Sequence, residues 1–421
     1  MLEEGDIMRD LTVQEIQTLR ELGVQVAEIA GLPKQKETIR LWEKLNGLKP
    51  ERPMVTIDQL PWHELNIDGS LNLQVEEPFF RTIEQNLRRI LFQWRHFPAD
   101  MVVMPWIAVP MAIENSGWCD LNIKTDMTYT DPTSDVISHR YIPAFTREED
   151  LEAFHNPVIT INQAENTWRR ETAQKVFDGI IPVKMTGLST MYHPWDHTCG
   201  IIGIQETLEM LIAEPELAHK LCQKMHQIML SEMEQLEMLG ALESPQPLIH
   251  CTGAFSDELP KPGYDPEKPC ACDVWTAGMS QIFGSVSPAM HKEFDLDYAA
   301  DYYKHFGLVY YGCCEPLHDR ISLIRAIPNV RKISTSPWAN VEIAGEQMAG
   351  DFVMSRKPNP AYLAPQSADL DSAMKEIDKT LEVCRNNHTP CELILKDVST
   401  ISYHIERLVQ WERQVMERVK A

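Results

Sequence analysis

From about residue 52 onward, short runs of β-branched and large apolar residues alternate with longer segments whose apolar positions recur every three or four residues. The first pattern is that of buried strands and the second that of helices lying on them. The strand candidates are Met54–Ile57, Met101–Met104, Ile180–Met185, Gln281–Val286, Leu308–Tyr311, Arg331–Ser334, Phe352–Met354 and Glu392–Leu395. Between them lie helical stretches such as Arg81 to Phe97 and Pro215 to Leu239, the latter with proline in its first turn and Gly240 just past its end. Residues 1–50 read as two helices. Thr12-Val13-Gln14-Glu15 has capping-box spacing, and Pro33 precedes a run with Ile39, Trp42 and Leu45 on one face.

Strand runs separated by helices predict parallel strands joined by crossovers. With no Gly-x-Gly-x-x-Gly after the first run, the expectation is an α/β chain of the (β/α)8 TIM-barrel type over residues 51–421, with an N-terminal helical extension over residues 1–50. In a barrel the chemistry gathers at the C-terminal ends of the strands. Those ends carry Asp58 to Glu64, Pro105-Trp106, Gly312 to Glu315, Ser336-Pro337-Trp338, Arg356-Lys357 and Lys396-Asp397.

Composition narrows the class. With 62 acidic against 39 basic residues, a formal charge of −23 repels phosphate backbones and anionic lipid alike, so neither nucleic acid nor a membrane surface is an expected partner. The ten cysteines show no framework spacing of a small secreted protein, and the first residues have no basic and apolar leader pattern. A cytoplasmic location is expected. No Gly-x-Ser-x-Gly elbow and no Walker loop is present, which argues against serine hydrolases and NTPases.

Cys313 and Glu315 stand two apart at a strand end, so extended geometry would aim both at one metal; thiolate with carboxylate suits zinc. The plainer reading is a small buried cysteine and a carboxylate paired with an arginine. Asp397 ends the last strand and is either a third ligand, a general acid/base or a helix cap. His250, after Pro247-Leu248-Ile249, would complete the set; alternation allows only one of His250 and Cys251 to face it. His63 and Glu64 are acid/base candidates. The aromatic residues Trp62, Trp106, Tyr311 and Trp338 would hold a flat ligand, or simply pack the core.

The stretch Ser287-Pro288-Ala289-Met290-His291-Lys292-Glu293-Phe294, followed by Leu308-Val309-Tyr310-Tyr311-Gly312-Cys313, resembles the uroporphyrinogen decarboxylase superfamily. That resemblance implies a (β/α)8 barrel and one of two chemistries: decarboxylation of a porphyrinogen without cofactor, or zinc-dependent methyl transfer involving a corrinoid protein. The stretch Met54 to Glu64 lacks the arginines that would hold a porphyrinogen's carboxylates. Against the thiol-methylating branch, Tyr311 stands where a histidine ligand is expected, while Cys313 matches a cysteine ligand and Asp397 lies near a second. The chain is most similar to the methyltransferase component of corrinoid-dependent O-demethylases. The implied function is methyl transfer from a methoxylated aromatic to the Co(I) corrinoid of a partner protein, with zinc held by Cys313, Glu315, Asp397 and His250. The alternatives are a decarboxylase that uses Arg356, Lys357 or Arg140, a methylcobamide:thiol methyltransferase, and a non-catalytic corrinoid- or tetrapyrrole-binding partner.

Overall fold

The computed structural model describes residues 8–129 and 137–421; residues 1–7, on which the reading of the N-terminus rests, lie outside the described residues. Two helices open the chain, α1 (Val13–Ala30) and α2 (Pro33–Asn46). Thr12 and Glu15 form the capping box that the spacing predicts, with each side chain on the other's backbone N–H. The chain then runs through β1 (Met54–Ile57), α3 (Pro78–His96), β2 (Ile107–Pro110), β3 (Val183–Thr186), β4 (Met191–Tyr192), α4 (Pro215–Met238), β5 (Leu248–Ile249), β6 (Thr252–Gly253), β7 (Trp275–Gly278), β8 (Leu308–Tyr311), β9 (Val330–Thr335), β10 (Val353–Arg356), β11 (Cys391–Leu395) and α5 (Glu406–Lys420).

The central sheet has seven strands in the order β1-β11-β10-β9-β8-β7-β4, every named pairing parallel, and β2 and β3 form a separate parallel pair. The architecture is therefore mixed α/β around a parallel sheet, in which no hydrogen-bonded ladder joins β1 to β2. A (β/α)8 barrel is compatible with this order, but the ring is not closed by pairing.

Two strand positions differ from the sequence reading. Met101–Met104 is coil, tied down by Val103 N–H to Gln35 Oε1, and the strand comes after it, so Pro105-Trp106 precede β2 instead of following it. Gln281–Ser285 is a short 3-10 turn in which only Phe283 is buried, while the strand is β7, four fully buried residues upstream. Ser287 accordingly caps a helical turn, accepting from Met290 N–H, and does not end a strand.

Side-chain parity organises the sheet. Register pairs Met54 with Glu392, Glu392 with Ser355, Ser355 with Ser334, and Tyr310 with Lys332, so these residues share one face. The short antiparallel hairpin β5–β6 lies on that face. Lys332 Nζ donates to Glu392 Oε2 (2.8 Å) and to Gly253 O (3.1 Å), and Thr252 Oγ1 donates to Glu392 (2.8 Å). Both charged groups are fully buried. The opposite parity faces the helices: Tyr311 meets His291 Nε2 (2.8 Å) and Asp295 Oδ2 (3.0 Å), and Arg356 donates to Ser336 O and Glu376.

Candidate active site

Continuing the inward parity to the first residue past each strand places Asp58 after β1, Lys357 after β10 and Lys396 after β11 at one end of the sheet. The tip of the β5–β6 hairpin, His250-Cys251, meets them there. His250 has a left-handed backbone, φ 54°, which breaks strand alternation, so its ring and the Cys251 side chain approach the same neighbours. The Cys251 and Cys313 sulfurs are close enough to the imidazole to raise its pKa. Lys396 Nζ lies 3.5 Å from His250 Nε2 and 3.6 Å from Cys313 Sγ. Lys357 Nζ donates to Cys313 O (2.8 Å) and Ser334 Oγ (2.6 Å).

The charges follow from these contacts. Cys314, at 3.6 Å, and then His250, Lys357 and Lys396 hold the Cys313 thiol far below its usual value, against the effect of burial. Burial alone would lower the His250 pKa, but the Cys251 and Cys313 thiols outweigh it and push it up to about 9. The contacts thus favour a Cys313 thiolate and a His250 imidazolium, with Lys396 beside both. Burial, chiefly, raises Asp58 above the usual carboxyl range. Nearby, burial and the Glu315 charge push Asp196 up to about 7, and burial with the neighbouring His197 takes His193 down to about 4.

The residues singled out from sequence fare unequally. Cys313 and His250 come together. Glu315 does not join them as a ligand pair, because Gly312 at φ 95° ends the extended geometry; the Glu315 carboxylate turns inward and accepts from Cys313 N–H (2.9 Å) and Ser280 N–H (3.3 Å). Asp397 is at the mouth but half-exposed, 3.6 Å from Lys396 Nζ and 3.9 Å from Cys314 Sγ. Glu64 is a loop clamp: its carboxylate takes hydrogen bonds from Thr400 Oγ1, Ile401 N–H and Tyr403 N–H, which together outweigh burial and hold it below its usual value. His63 packs edge-on against Tyr403 and shares an outer crevice with Asp397. Tyr311 points into the helix layer, and Trp338 is 73% exposed to solvent. Trp62 packs on Phe92 beneath the Arg89 guanidinium. Of the four aromatics, Trp106 lines a cavity of about 480 Å³ that reaches Asp58 and Cys251.

The expected zinc set does not converge. Among the described residues, three donor atoms lie within 4.8 Å of one another only at Cys270, Cys272 and Asp273, and there the two sulfurs are joined as a disulfide. A disulfide offers no thiolate to a metal. At Cys313 the place between the sulfur and His250 Nε2 is held by the Lys396 ammonium. A second cation there would face strong repulsion.

The sequence reading gave Lys396 and Asp58 no role, Lys357 one only in the decarboxylase alternative, and Cys251 one only in place of His250. Parity from Glu392 and Ser355 marks two of them and parity from Met54 marks Asp58, but nothing in the sequence discloses the left-handed residue that turns Cys251 inward.

No family model matches the chain, and no curated protein matches it. Among solved structures, a methyltransferase from Methanosarcina mazei is similar in fold, with a TM-score of 0.51 and 11% identity over 91% of this chain and 98% of that one. This likeness establishes a shared architecture. Among the described residues no helix is long and apolar enough to cross a membrane.

Proposed function

We propose that the chain is a methyltransferase that moves a methyl group from the oxygen of a methoxylated aromatic to the Co(I) corrinoid of a partner protein. The fold likeness to a methyltransferase and the resemblance of Ser287 to Cys313 support the class. The observation that carries the chemistry is the cluster of Cys313, His250 and Lys396 at the strand ends, beside a cavity large enough for one aromatic ring.

An aryl oxide is a poor leaving group, so the barrier falls most where its developing negative charge is met. When bound, the corrinoid supplies the nucleophile toward the methyl carbon. As the carbon–oxygen bond breaks, its electron pair stays on oxygen, where Lys396 stabilises the charge and the His250 imidazolium delivers a proton. The Cys313 thiolate keeps His250 protonated, and Lys357, held by Cys313 O and Ser334, fixes the loop that carries that thiolate. Zinc is not required for any of these steps.

The cationic mouth also favours a second reading, decarboxylation of a small acid bound by Lys357 and Lys396. In that case Arg356 takes no part, since it faces the helices, and Arg140 is exposed on the strand Ile137–Ile142. Mixing the protein with chemically reduced cobalamin and a panel of methoxyarenes, methanol and methylamines distinguishes the two. Methyl transfer gives the methyl-Co(III) spectrum with a methoxyarene; silence with every donor, together with carbon dioxide release from an acid, selects the second reading.

A further inference from the structure

Cys270 and Cys272 lie at the opposite end of the sheet from His250 and Cys313, in the turn that leads into Trp275, the first residue of β7. They are joined as a disulfide across a single intervening residue, Ala271. A cross-link stabilises a fold mainly by restricting the unfolded chain, and that restriction shrinks with the loop it closes. The loop closed here runs only from Cys270 to Cys272, so the bond adds little to stability. Nor is it needed to shape the turn. Asp273, itself buried, accepts from Cys270 N–H (3.1 Å) and Lys261 N–H (3.0 Å), while Ala271 N–H donates to Glu237 Oε2 (2.8 Å) and Gly307 N–H to Ala271 O (3.3 Å). Glu237 belongs to α4 and Gly307 directly precedes β8, so a helix and the next strand pin the turn whether or not the sulfurs are bonded.

The two sulfurs have different surroundings. Cys272 is exposed and open to a thiol arriving from solvent, whereas Cys270 is half-buried with its Sγ 3.1 Å from Asp273 Oδ2. In the disulfide Cys270 has no proton to offer, and the carboxylate faces a bare sulfur. Once reduced, the same sulfur carries an S–H that donates across this distance. Asp273 therefore favours the dithiol over the disulfide and keeps the proton on Cys270, which leaves Cys272 to carry the thiolate. Exposed disulfides are the kind that exchange readily.

We propose that Cys270-Ala271-Cys272 is a thiol–disulfide exchange site whose partner is a dithiol, with Cys272 as the attacked sulfur and Asp273 as the residue that positions Cys270. One thiolate of the dithiol attacks Cys272 Sγ. The Cys270–Cys272 bond breaks, its electron pair stays on Cys270 Sγ, and that sulfur takes a proton from water and hydrogen-bonds Asp273. The second thiolate of the dithiol then attacks its partner sulfur in the mixed disulfide and releases the Cys272 thiolate, which takes a second proton. Two electrons pass to the protein, and the dithiol leaves as its intramolecular disulfide. None of this rests on the methyl-transfer reading.

Differential alkylation with peptide mass mapping tests it on the intact protein at graded ratios of reduced to oxidised dithiothreitol, with reduced thioredoxin as a protein-borne dithiol. Cys270 and Cys272 should convert together and reversibly with at least one of the two, while far-ultraviolet circular dichroism stays unchanged. Asp273→Asn should raise the ratio of reduced to oxidised dithiol needed for half conversion ~5-fold or more. Asp273 also holds two backbone N–H groups; should that variant not fold, Cys272→Ser carries the test, losing the exchange while melting within ~2 °C of the parent. A disulfide that resists an excess of both dithiols in the native protein, or a pair that stays reduced with oxidised dithiothreitol, overturns the proposal. So does an unshifted ratio in folded Asp273→Asn, or a larger fall in melting temperature for Cys272→Ser, which would make the bond a structural one. Zinc at one equivalent blocking reoxidation of the reduced pair would overturn it in favour of a metal site.

Discussion

His250 and Cys313 set the character of the site, each fixing the charge of the other. Cys314, then the imidazolium and the two lysines, favour the Cys313 thiolate, and the Cys251 and Cys313 sulfurs favour the imidazolium. Two measurable consequences follow. The ultraviolet absorbance of one thiolate should persist at about pH 5, where an ordinary thiol is protonated, and should vanish in Cys313→Ser. Because the acid form of His250 is the one that donates, the transfer rate should be flat through neutrality and fall as pH rises through about 9. A rate that rises across that interval would remove His250 from the role of acid. At this scale the sequence reading named Cys313 and His250 as metal ligands from residue type and place, and the structure brings the two together beside Lys396. It misassigned Glu315 because the same-side argument assumes extended backbone, which Gly312 interrupts; a Cβ there would come within 2.4 Å of Leu317 Cδ1.

At the scale of elements, the inward face of the sheet is unusually polar, and the β5–β6 hairpin is what makes that tolerable. Lys332 and Glu392 are fully buried; their hydrogen bonds go to each other and to Thr252 and Gly253 of the hairpin, and Glu392 Oε1 has no partner among the described residues. Lys332→Met should therefore destabilise the fold by about 3–5 kcal/mol, since it strands a buried carboxylate, whereas Lys332→Met with Glu392→Leu should recover much of that loss. Thermal or urea unfolding of the single and double variants measures it; a single variant as stable as the parent would mean the pair is not anchoring the hairpin. The strands β1, β8, β9, β10 and β11 were legible because their apolar runs are short, β-branched or aromatic, and bounded by turn residues. Met101–Met104 and Gln281–Val286 misled because apolar residues also occur in partly buried coil and turns, and only tertiary pairing separates these cases.

Across the whole molecule, the parallel sheet brings the ends of β1, β8, β10 and β11 to one place, although Asp58, Cys313, Lys357 and Lys396 are far apart in sequence. Alternating strands and helices made that architecture readable. The break between β1 and β2 was not, because it depends on side chains of distant residues, Asp100 and Gln93, that take over the pairing of a strand edge. The central claim is that positive charge from Lys396 and His250, without a metal, meets the oxygen as methyl transfers. It is tested most directly by the methyl-Co(III) assay with 2-methoxyphenol on protein stripped with a strong chelator, beside Lys396→Met under the same conditions. The account predicts an undiminished rate after stripping and a rate ~10²–10³-fold lower for Lys396→Met; activity that disappears on stripping and returns with added zinc would contradict it.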